Sequence, residues 1–182
     1  TKTNTIGYVA AFPIPEVIRG INAFTLGVRQ VNPTAKVRVT WTKACFDPAA
    51  ERQAADALLN GGADIIAQHQ DSPAAQQAAQ DRGKYGIGYS SDMRLSTPDA
   101  TLTSPIWNWG VYYSDVVKQV QAGTWKSGQY WGSWKDGVVD LAPIGSMVPA
   151  DVKANAEAEL EHKYERWEYL NNLAEEIENS KK

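Results

Sequence analysis

The sequence has few of the residues that build metal centres and covalent cross-links. Its 182 residues include one cysteine, Cys45, and two histidines, His69 and His162, which lie far apart in the chain. A single cysteine excludes an internal disulfide and any site built from several cysteines. We therefore expect no metal centre and no cofactor.

Long hydrophobic runs and blocks of basic residues are missing as well. No run approaches the roughly 18 apolar residues needed to span a bilayer. The net charge is −3, and without a basic cluster we expect no nucleic-acid partner. Residues 1–4 lead directly into a predicted strand, so no signal peptide is expected at this end of the chain. The 43% of hydrophobic residues is ordinary for a globular protein.

What the chain does contain is an alternation of strand and helix patterns over residues 1–150. Strand patterns occupy five short segments, 6–10, 36–42, 63–67, 85–89 and 101–106. Helix patterns follow the first three strands, each with a proline at its start: Pro15, Pro48 and Pro73. Such alternation predicts a parallel sheet with right-handed crossovers. We predict an α/β three-layer sandwich with the flavodoxin-like strand order 2-1-3-4-5.

Two further elements are predicted before residue 150. A helix is expected from about Gly110 to Ala122, after the fifth strand. Residues 128–142 alternate around Lys135-Asp136-Gly137, a sequence typical of a tight turn. We therefore predict a β-hairpin over residues 128–142.

The character of the sequence changes after Pro149. No glycine or proline interrupts the remaining residues, and apolar residues recur every three or four positions. The pattern predicts a long amphipathic C-terminal helix over residues 151–182, separate from an α/β lobe over residues 1–150. A helix of this length is expected to pack on the lobe or to pair with a second copy in a homodimer. Its apolar stripe comprises Ala156, Leu160, Tyr164, Trp167, Leu170, Ala174 and Ile177.

Aromatic and polar side chains follow the predicted strands at their carboxyl ends, where open parallel sheets bind ligands. Aromatic rings beside amides and carboxylates suit a flat heteroaromatic ligand, because the ring can stack and the polar groups can bind its edge. Neither a G-x-S-x-G motif nor a phosphate-binding glycine loop is present, which favours binding over catalysis. The candidate ligand-binding residues are Phe12, Phe46, Asp71, Ser91, Asp92, Trp107, Asn108 and Trp109.

Some of these residues also have a purely structural explanation. Asp47 precedes a helix-starting proline and Asp71 precedes a serine-proline pair, so either could be an N-cap; we interpret Asp47 as structural and leave both roles open for Asp71. The aromatic candidates could be packing residues of the core. His69 is interpreted as a structural histidine. An enzymatic alternative, a small nucleotide hydrolase or transferase, would have only His69 and Asp71 to draw on.

Five segments carry a family resemblance when taken together and in order. They are GYVAAFPIPEVIRGINAFTLGVRQVNP, FDPAAERQAADALLNGGADIIAQH, GKYGIGYSSDM, LTSPIWNWGVYY and KDGVVDLAP, and they span about residues 4–152. This combination resembles the basic membrane protein (BMP, PnrA-like) family, the solute-binding proteins of ABC importers. The resemblance covers the second of two α/β lobes that clamp a purine nucleoside or base. It implies a non-catalytic lobe of a periplasmic or membrane-anchored extracellular lipoprotein that docks on an ABC permease.

The sequence departs from the family pattern in two places. Nucleoside-binding members have Asp-Ser-Asp after the fourth strand and a lysine after the fifth, where this chain has Ser90-Ser91-Asp92 and Trp107. These differences suggest a bare purine such as adenine. The Glu-rich tail replaces sequence that contains Gly and Pro in the family, which suggests a foreign or engineered helix. The alternative function is therefore a scaffold or interaction module whose tail replaces lobe contacts, with the tail or the exposed cleft face mediating dimerisation.

Overall fold

The computed structural model describes residues 1–159, which divide into two compact units. The first unit comprises residues 1–106 and 141–147, and the second comprises residues 107–140 and, within the described part, 148–159. Most of the predicted C-terminal helix, with its stripe from Leu160 to Ile177, lies outside the described residues.

A parallel sheet of five strands forms the centre of the first unit. Its order is β2-β1-β3-β4-β5, which confirms the predicted flavodoxin-like topology. In the central register, Tyr8 of the first strand lies opposite Val39 on one side and Ala67 on the other. The strands are β1 Thr5–Ala10, β2 Lys36–Trp41, β3 Ile65–His69, β4 Tyr85–Ile87 and β5 Thr101–Thr103.

Three helices connect these strands, and each start has a local cause. They are α1 Pro15–Val31, α2 Pro48–Asn60 and α3 Ala74–Asp81. Proline occupies the first turn of α1 and α2, where its missing N–H costs nothing. Asp47 accepts a hydrogen bond from the Ala50 N–H at 3.0 Å, which confirms it as the N-cap of α2.

The hydrogen bonds at the start of α3 exclude the N-cap role, one of the two roles left open for Asp71. The Ser72 hydroxyl, and not the Asp71 carboxylate, accepts the hydrogen bond from the Ala74 N–H, at 3.2 Å. Pro73 stands at the N-cap position, which has no side-chain hydrogen bond. The N-cap interpretation of Asp71 is therefore wrong, because the shorter serine hydroxyl already binds the free N–H of the first turn.

The core lies on both faces of the sheet, as expected of a three-layer sandwich. On one face, Val9 and Ile66 pack with the buried residues of α2 and α3. On the other face, Tyr8 and Ala67 pack with Val17 and Ile21 of α1. Successive strand residues point to opposite faces, so the apolar runs of β1 and β3 supply both layers.

The strand ends differ from the sequence predictions. Strand β3 begins two residues later than expected and continues to His69, and β4 ends at Ile87 instead of Tyr89. The predicted fifth strand is divided into β5 and a separate strand β6, Pro105–Trp107. The break follows from Pro105, which has no N–H to continue the ladder.

The predicted hairpin over residues 128–142 is wrong. Only β7, Val139–Leu141, is a strand in this stretch, and it pairs with β6 in a two-stranded sheet. The Ser133 N–H and hydroxyl both donate to the Asp136 carboxylate, at 2.8 and 2.7 Å, which closes a local turn. Because the Ser133 N–H is bonded to Asp136 in this turn, it is not available for the hydrogen-bond ladder of a first hairpin strand.

The second unit contains helix α4, Trp109–Gln121, one residue earlier at each end than predicted. Four apolar residues of α4 recur every three or four positions and are exposed: Trp109, Tyr113, Val117 and Val120. Residues 150–159 are helical, in agreement with the start of the predicted C-terminal helix. None of the helices within residues 1–159 has the length and apolar character of a membrane-spanning segment.

A candidate ligand cleft at the carboxyl edge of the sheet

A cleft of about 140 Å³ opens in the first unit. Its walls come from the segments that follow β1, β2, β3 and β4 and from the first turn of α1. Because the strands are parallel, their carboxyl ends meet at one edge of the sheet, which is where ligands of open α/β sheets bind. The residues that line the cleft are Ala11, Phe12, Ile14, Glu16, Val17, Cys45, His69, Asp71 and Tyr89.

Aromatic rings form a large part of this lining. Phe12 follows β1 and is 37% exposed, although its neighbours Ala10 and Ala11 are buried. A tight turn, in which the Ile14 N–H donates to the Phe12 carbonyl at 2.8 Å, takes the chain out of the sheet at this point. The rings of His69 and Tyr89 stack with their centroids 4.1 Å apart. The cleft can therefore present flat apolar faces to a planar ligand.

The ionisable side chains of the cleft include two carboxylates and one imidazole. Glu16 Oε1 lies 3.8 Å from His69 Nε2, and Asp71 belongs to the loop that follows β3. Burial lowers the pKa of His69, while the charges of Glu16 and Asp71 act in the opposite direction without overcoming it. At neutral pH the cleft therefore combines anionic acceptors with a neutral imidazole.

The pKa of His69 gives a direct test of this electrostatic arrangement. We expect it to lie below the ordinary value of 6.5 and to fall further in Glu16→Gln, because that change removes a charge that favours the imidazolium. Since the pKa is lower in the folded state, the fold should lose stability as the pH falls below 6.5. NMR titration in a His162→Gln background leaves one histidine to follow. The control is Glu157→Gln, an exposed site on another segment; a pKa that rises in Glu16→Gln would contradict the assignment.

The cleft brings together two of the eight candidates from the sequence, Phe12 and Asp71. Phe46 follows the lining residue Cys45 but is 67% exposed and does not line the cleft. Ser91 and Asp92 also lie outside the lining. Asp92 caps a short 3-10 helix through the Arg94 N–H at 3.1 Å. The Arg94 guanidinium binds both carboxylate oxygens, at 2.9 and 2.5 Å, and holds the pKa of Asp92 below its usual range.

The other three candidates begin the second unit. Trp107 is the last residue of β6, and Trp109 is the first residue of α4. Asn108 donates its side-chain amide to the Gly137 carbonyl at 3.2 Å, and its N–H donates to the Val138 carbonyl at 2.7 Å. These bonds give Asn108 a structural role within its own unit.

Sequence reasoning missed several residues of the cleft. The local sequence suggests a structural role for His69 and places Tyr89 inside the fourth strand, yet both residues line the cleft. The available signal was their position at or just after the carboxyl end of a strand, the same signal that identified Phe12. Glu16 in the first turn of α1 gave no such signal. Within residues 1–159, no group of three or more His, Cys, Asp or Glu side chains is placed to hold a metal ion.

Comparison with known proteins gives a family match and a set of similar relatives. Residues 1–173 match the family described as ABC transporter substrate-binding protein PnrA-like. A putative ABC transporter glucose-binding protein of Haloferax volcanii is 48% identical over 153 residues, 84% of this chain and 39% of that protein. A purine-binding protein of Brucella abortus is 48% identical over 157 residues, 86% of this chain and 45% of that protein. The chain thus spans less than half the length of these relatives.

A solved structure supports the fold. An ABC transporter solute-binding protein of Conexibacter woesei superposes with a TM-score of 0.69 at 24% identity, over 90% of this chain and 55% of that one. The likeness agrees with the five-stranded parallel sheet flanked by helices. On the family match, the chain belongs to the PnrA-like family of ABC transporter substrate-binding proteins.

Proposed function

We propose that this chain supplies one ligand-binding lobe of an importer solute-binding protein for purines, either a base such as adenine or a nucleoside. The observation that carries the proposal is the presence of the Phe12 ring and the Asp71 carboxylate in one cleft. A purine needs an aromatic face on which to stack and an acceptor for the N–H groups at its edge. The similarity to a protein named purine-binding adds support.

In this proposal the purine ring stacks on Phe12, which is half-exposed before the ligand arrives. The Asp71 carboxylate accepts hydrogen bonds from the exocyclic amine or a ring N–H, and such charge-assisted bonds are stronger than neutral ones. The His69–Tyr89 stack forms a flat wall. Phe46, Ser91, Asp92, Trp107, Asn108 and Trp109 stay candidates for further contacts with the ligand.

The composition of the lining favours a purine over a sugar. One relative of equal identity is named as a putative glucose-binding protein, and sugars also stack on aromatic rings. A sugar, however, carries a hydroxyl on almost every carbon and needs several polar partners when it is buried. Apart from the ring residues, the lining combines the apolar side chains of Ala11, Ile14 and Val17 with the carboxylates of Glu16 and Asp71. These surfaces suit a ring that has polar atoms only at its edge.

The proposal extends to the location and the partner of the complete protein. A solute-binding protein of this kind would work in the periplasm or, membrane-anchored, outside the cell, and would deliver its ligand to an ABC permease. We also propose that the chain binds without turnover, since His69 is engaged with Tyr89 and Glu16. Release of free base from a purine nucleoside during incubation with the protein would overturn this part of the proposal.

Adenine binding by this chain alone is expected to be weak. A ligand clamped between two lobes gains only part of its contacts from one, so we expect a dissociation constant on the order of 100 µM or weaker. Ligand-observed NMR titration measures this range. Phe12→Ala should weaken binding about tenfold, because base–aromatic stacking is lost. The control is Leu95→Ala, an exposed apolar residue of the same unit that does not line the cleft.

Three outcomes would count against the proposal. A sub-micromolar dissociation constant would show that the cleft is complete without another lobe. Unchanged affinity in Phe12→Ala would remove Phe12 from the site. Glucose that binds more tightly than adenine would overturn the purine assignment and leave the family membership intact.

A further inference from the structure

The backbone on either side of Asp71 is held by one buried side chain that lies outside the cleft lining. Gln68 of β3 is 3% exposed. Its Nε2 donates to the Gln70 carbonyl at 3.0 Å and to the Ser72 carbonyl at 2.8 Å. These two carbonyls flank Asp71, so a single amide group restrains the chain before and after the carboxylate residue.

A second buried amide sets the orientation of the first. Gln76 of α3 is fully buried, and its Nε2 lies 2.9 Å from Gln68 Oε1 as well as 3.1 Å from the Ile66 carbonyl and 3.0 Å from the Ile87 carbonyl. Because the Gln68 oxygen accepts from Gln76, the Gln68 nitrogen faces the loop and acts as the donor. The orientation of the Gln68 amide is therefore set by Gln76 of α3, which contacts Gln68 on the side opposite the loop.

Further hydrogen bonds fasten the same loop to its neighbours. The Ser72 hydroxyl donates to the carboxylate of Glu51 in α2. Gln70 Nε2 donates to Thr42 Oγ1 at 2.5 Å, and the Asp71 N–H donates to the Cys45 carbonyl at 3.0 Å. The loop after β3 is therefore tied to the loop after β2, which supplies another part of the cleft lining. Within this set of bonds, only Gln68 binds the backbone on both sides of Asp71.

We infer that Gln68 is a positioning residue for ligand recognition and that it acts through Asp71. This inference rests on the proposed function, in which Asp71 binds the polar edge of the ligand. A carboxylate discriminates between ligands only if its direction is restrained before binding. Otherwise the entropy lost on ordering the carboxylate lowers the binding free energy of the complex. Buried amides are costly unless they are hydrogen-bonded, so the Gln68 amide, whose nitrogen and oxygen both have partners, gives rigidity in addition to packing.

The test compares Gln68→Met with Gln77→Met, an exposed glutamine of α3, and combines each with Asp71→Ala. Methionine keeps the length of the side chain and removes its donor. Amide hydrogen exchange at Asp71 and Ser72, measured by NMR without ligand, should accelerate about tenfold in Gln68→Met. The dissociation constant for adenine should rise by a similar factor. In the Asp71→Ala background, Gln68→Met should change the affinity by less than about twofold, because the residue acts through Asp71. Gln77→Met should leave both measurements unchanged.

Each result decides the inference separately from the proposed function. Unchanged exchange at Asp71 in Gln68→Met overturns the positioning role, as does an equal loss of affinity with and without Asp71. If the wild-type chain binds no adenine, the proposed function fails, and the exchange measurement still tests whether Gln68 holds the loop. If Gln68→Met does not fold, Gln68→Asn, in which the shorter amide cannot span both carbonyls, takes its place. Failure of both variants to fold would overturn the inference, because Gln68 would then be a residue of the core alone.

Discussion

Replacing Gly86 by alanine is expected to lower the free energy of unfolding by about 3 kcal/mol or more, one of the two largest effects we predict. A Cβ at this position in β4 would lie 1.7 Å from Gln76 Oε1 and 2.9 Å from the Ile66 carbonyl oxygen. Gln76 cannot move aside, because it is fully buried and its amide nitrogen binds the Ile66 and Ile87 carbonyls. The methyl group would break this bonding or separate β4 from β3.

Urea denaturation followed by tryptophan fluorescence measures this effect. The matched control is Gly27→Ala on the exposed side of α1, where a Cβ would meet nothing within 4 Å. That change should raise stability by about 0.5–1 kcal/mol, because alanine is the better helix former. If the clash with Gln76 is the cause, Gly86→Ala should cost clearly less in a Gln76→Ala background. Equal costs in both backgrounds would assign the loss to the Ile66 carbonyl instead.

Glu51→Ala is expected to lower the free energy of unfolding by about 2–4 kcal/mol. The carboxylate is fully buried and accepts hydrogen bonds from the Asp47 N–H at 3.0 Å and from the Ser72 hydroxyl. Alanine would leave both donors without their acceptor and would open a cavity between α2 and the loop after β3. Chemical denaturation measures the loss. A change of less than about 0.5 kcal/mol would contradict the structural role of this group.

The pH dependence of Glu51 supplies an independent check. Burial raises the pKa of this carboxyl above its ordinary value of 4.5, although hydrogen bonds from Ser72 and Asp47 act against the shift. A folded-state pKa above the unfolded value stabilises the fold at low pH, and this contribution is lost as the pH rises through the folded-state pKa. Glu51→Gln should therefore keep most of the stability at neutral pH and remove this part of the dependence. A variant with the pH profile of the wild type would argue against a raised pKa.

The local part of the candidate site could be predicted from the sequence, and the part formed by distant residues could not. Phe12 was identified because Pro13 and Pro15 end the first strand directly after it. The stack of His69 on Tyr89 joins residues twenty positions apart and exists because β3 and β4 are neighbours in the sheet. Nothing in either local sequence indicates that partner.

The same distinction explains the errors in the fold prediction. The Lys135-Asp136-Gly137 turn signal was real, since Asp136 closes a turn with Ser133. What the signal could not decide was the partner of β7, which pairs with β6 instead of with a strand just before the turn. The N-cap role left open for Asp71 was likewise excluded only by the structure, in which the Ser72 hydroxyl accepts the hydrogen bond from the Ala74 N–H.

The sequence by itself determined the α/β class, the order of the five parallel strands and the edge of the sheet at which the candidate cleft lies. Apolar periodicity and proline positions act over a few residues, and the handedness of crossovers follows from the chirality of the chain. These features can therefore be predicted from the sequence alone. Only the tertiary structure decided which side chains meet at that edge and how Gln76 and Gln68 hold the loop of Asp71. Those contacts depend on strand register and on the geometry of single hydrogen bonds between residues distant in sequence, which no local pattern specifies.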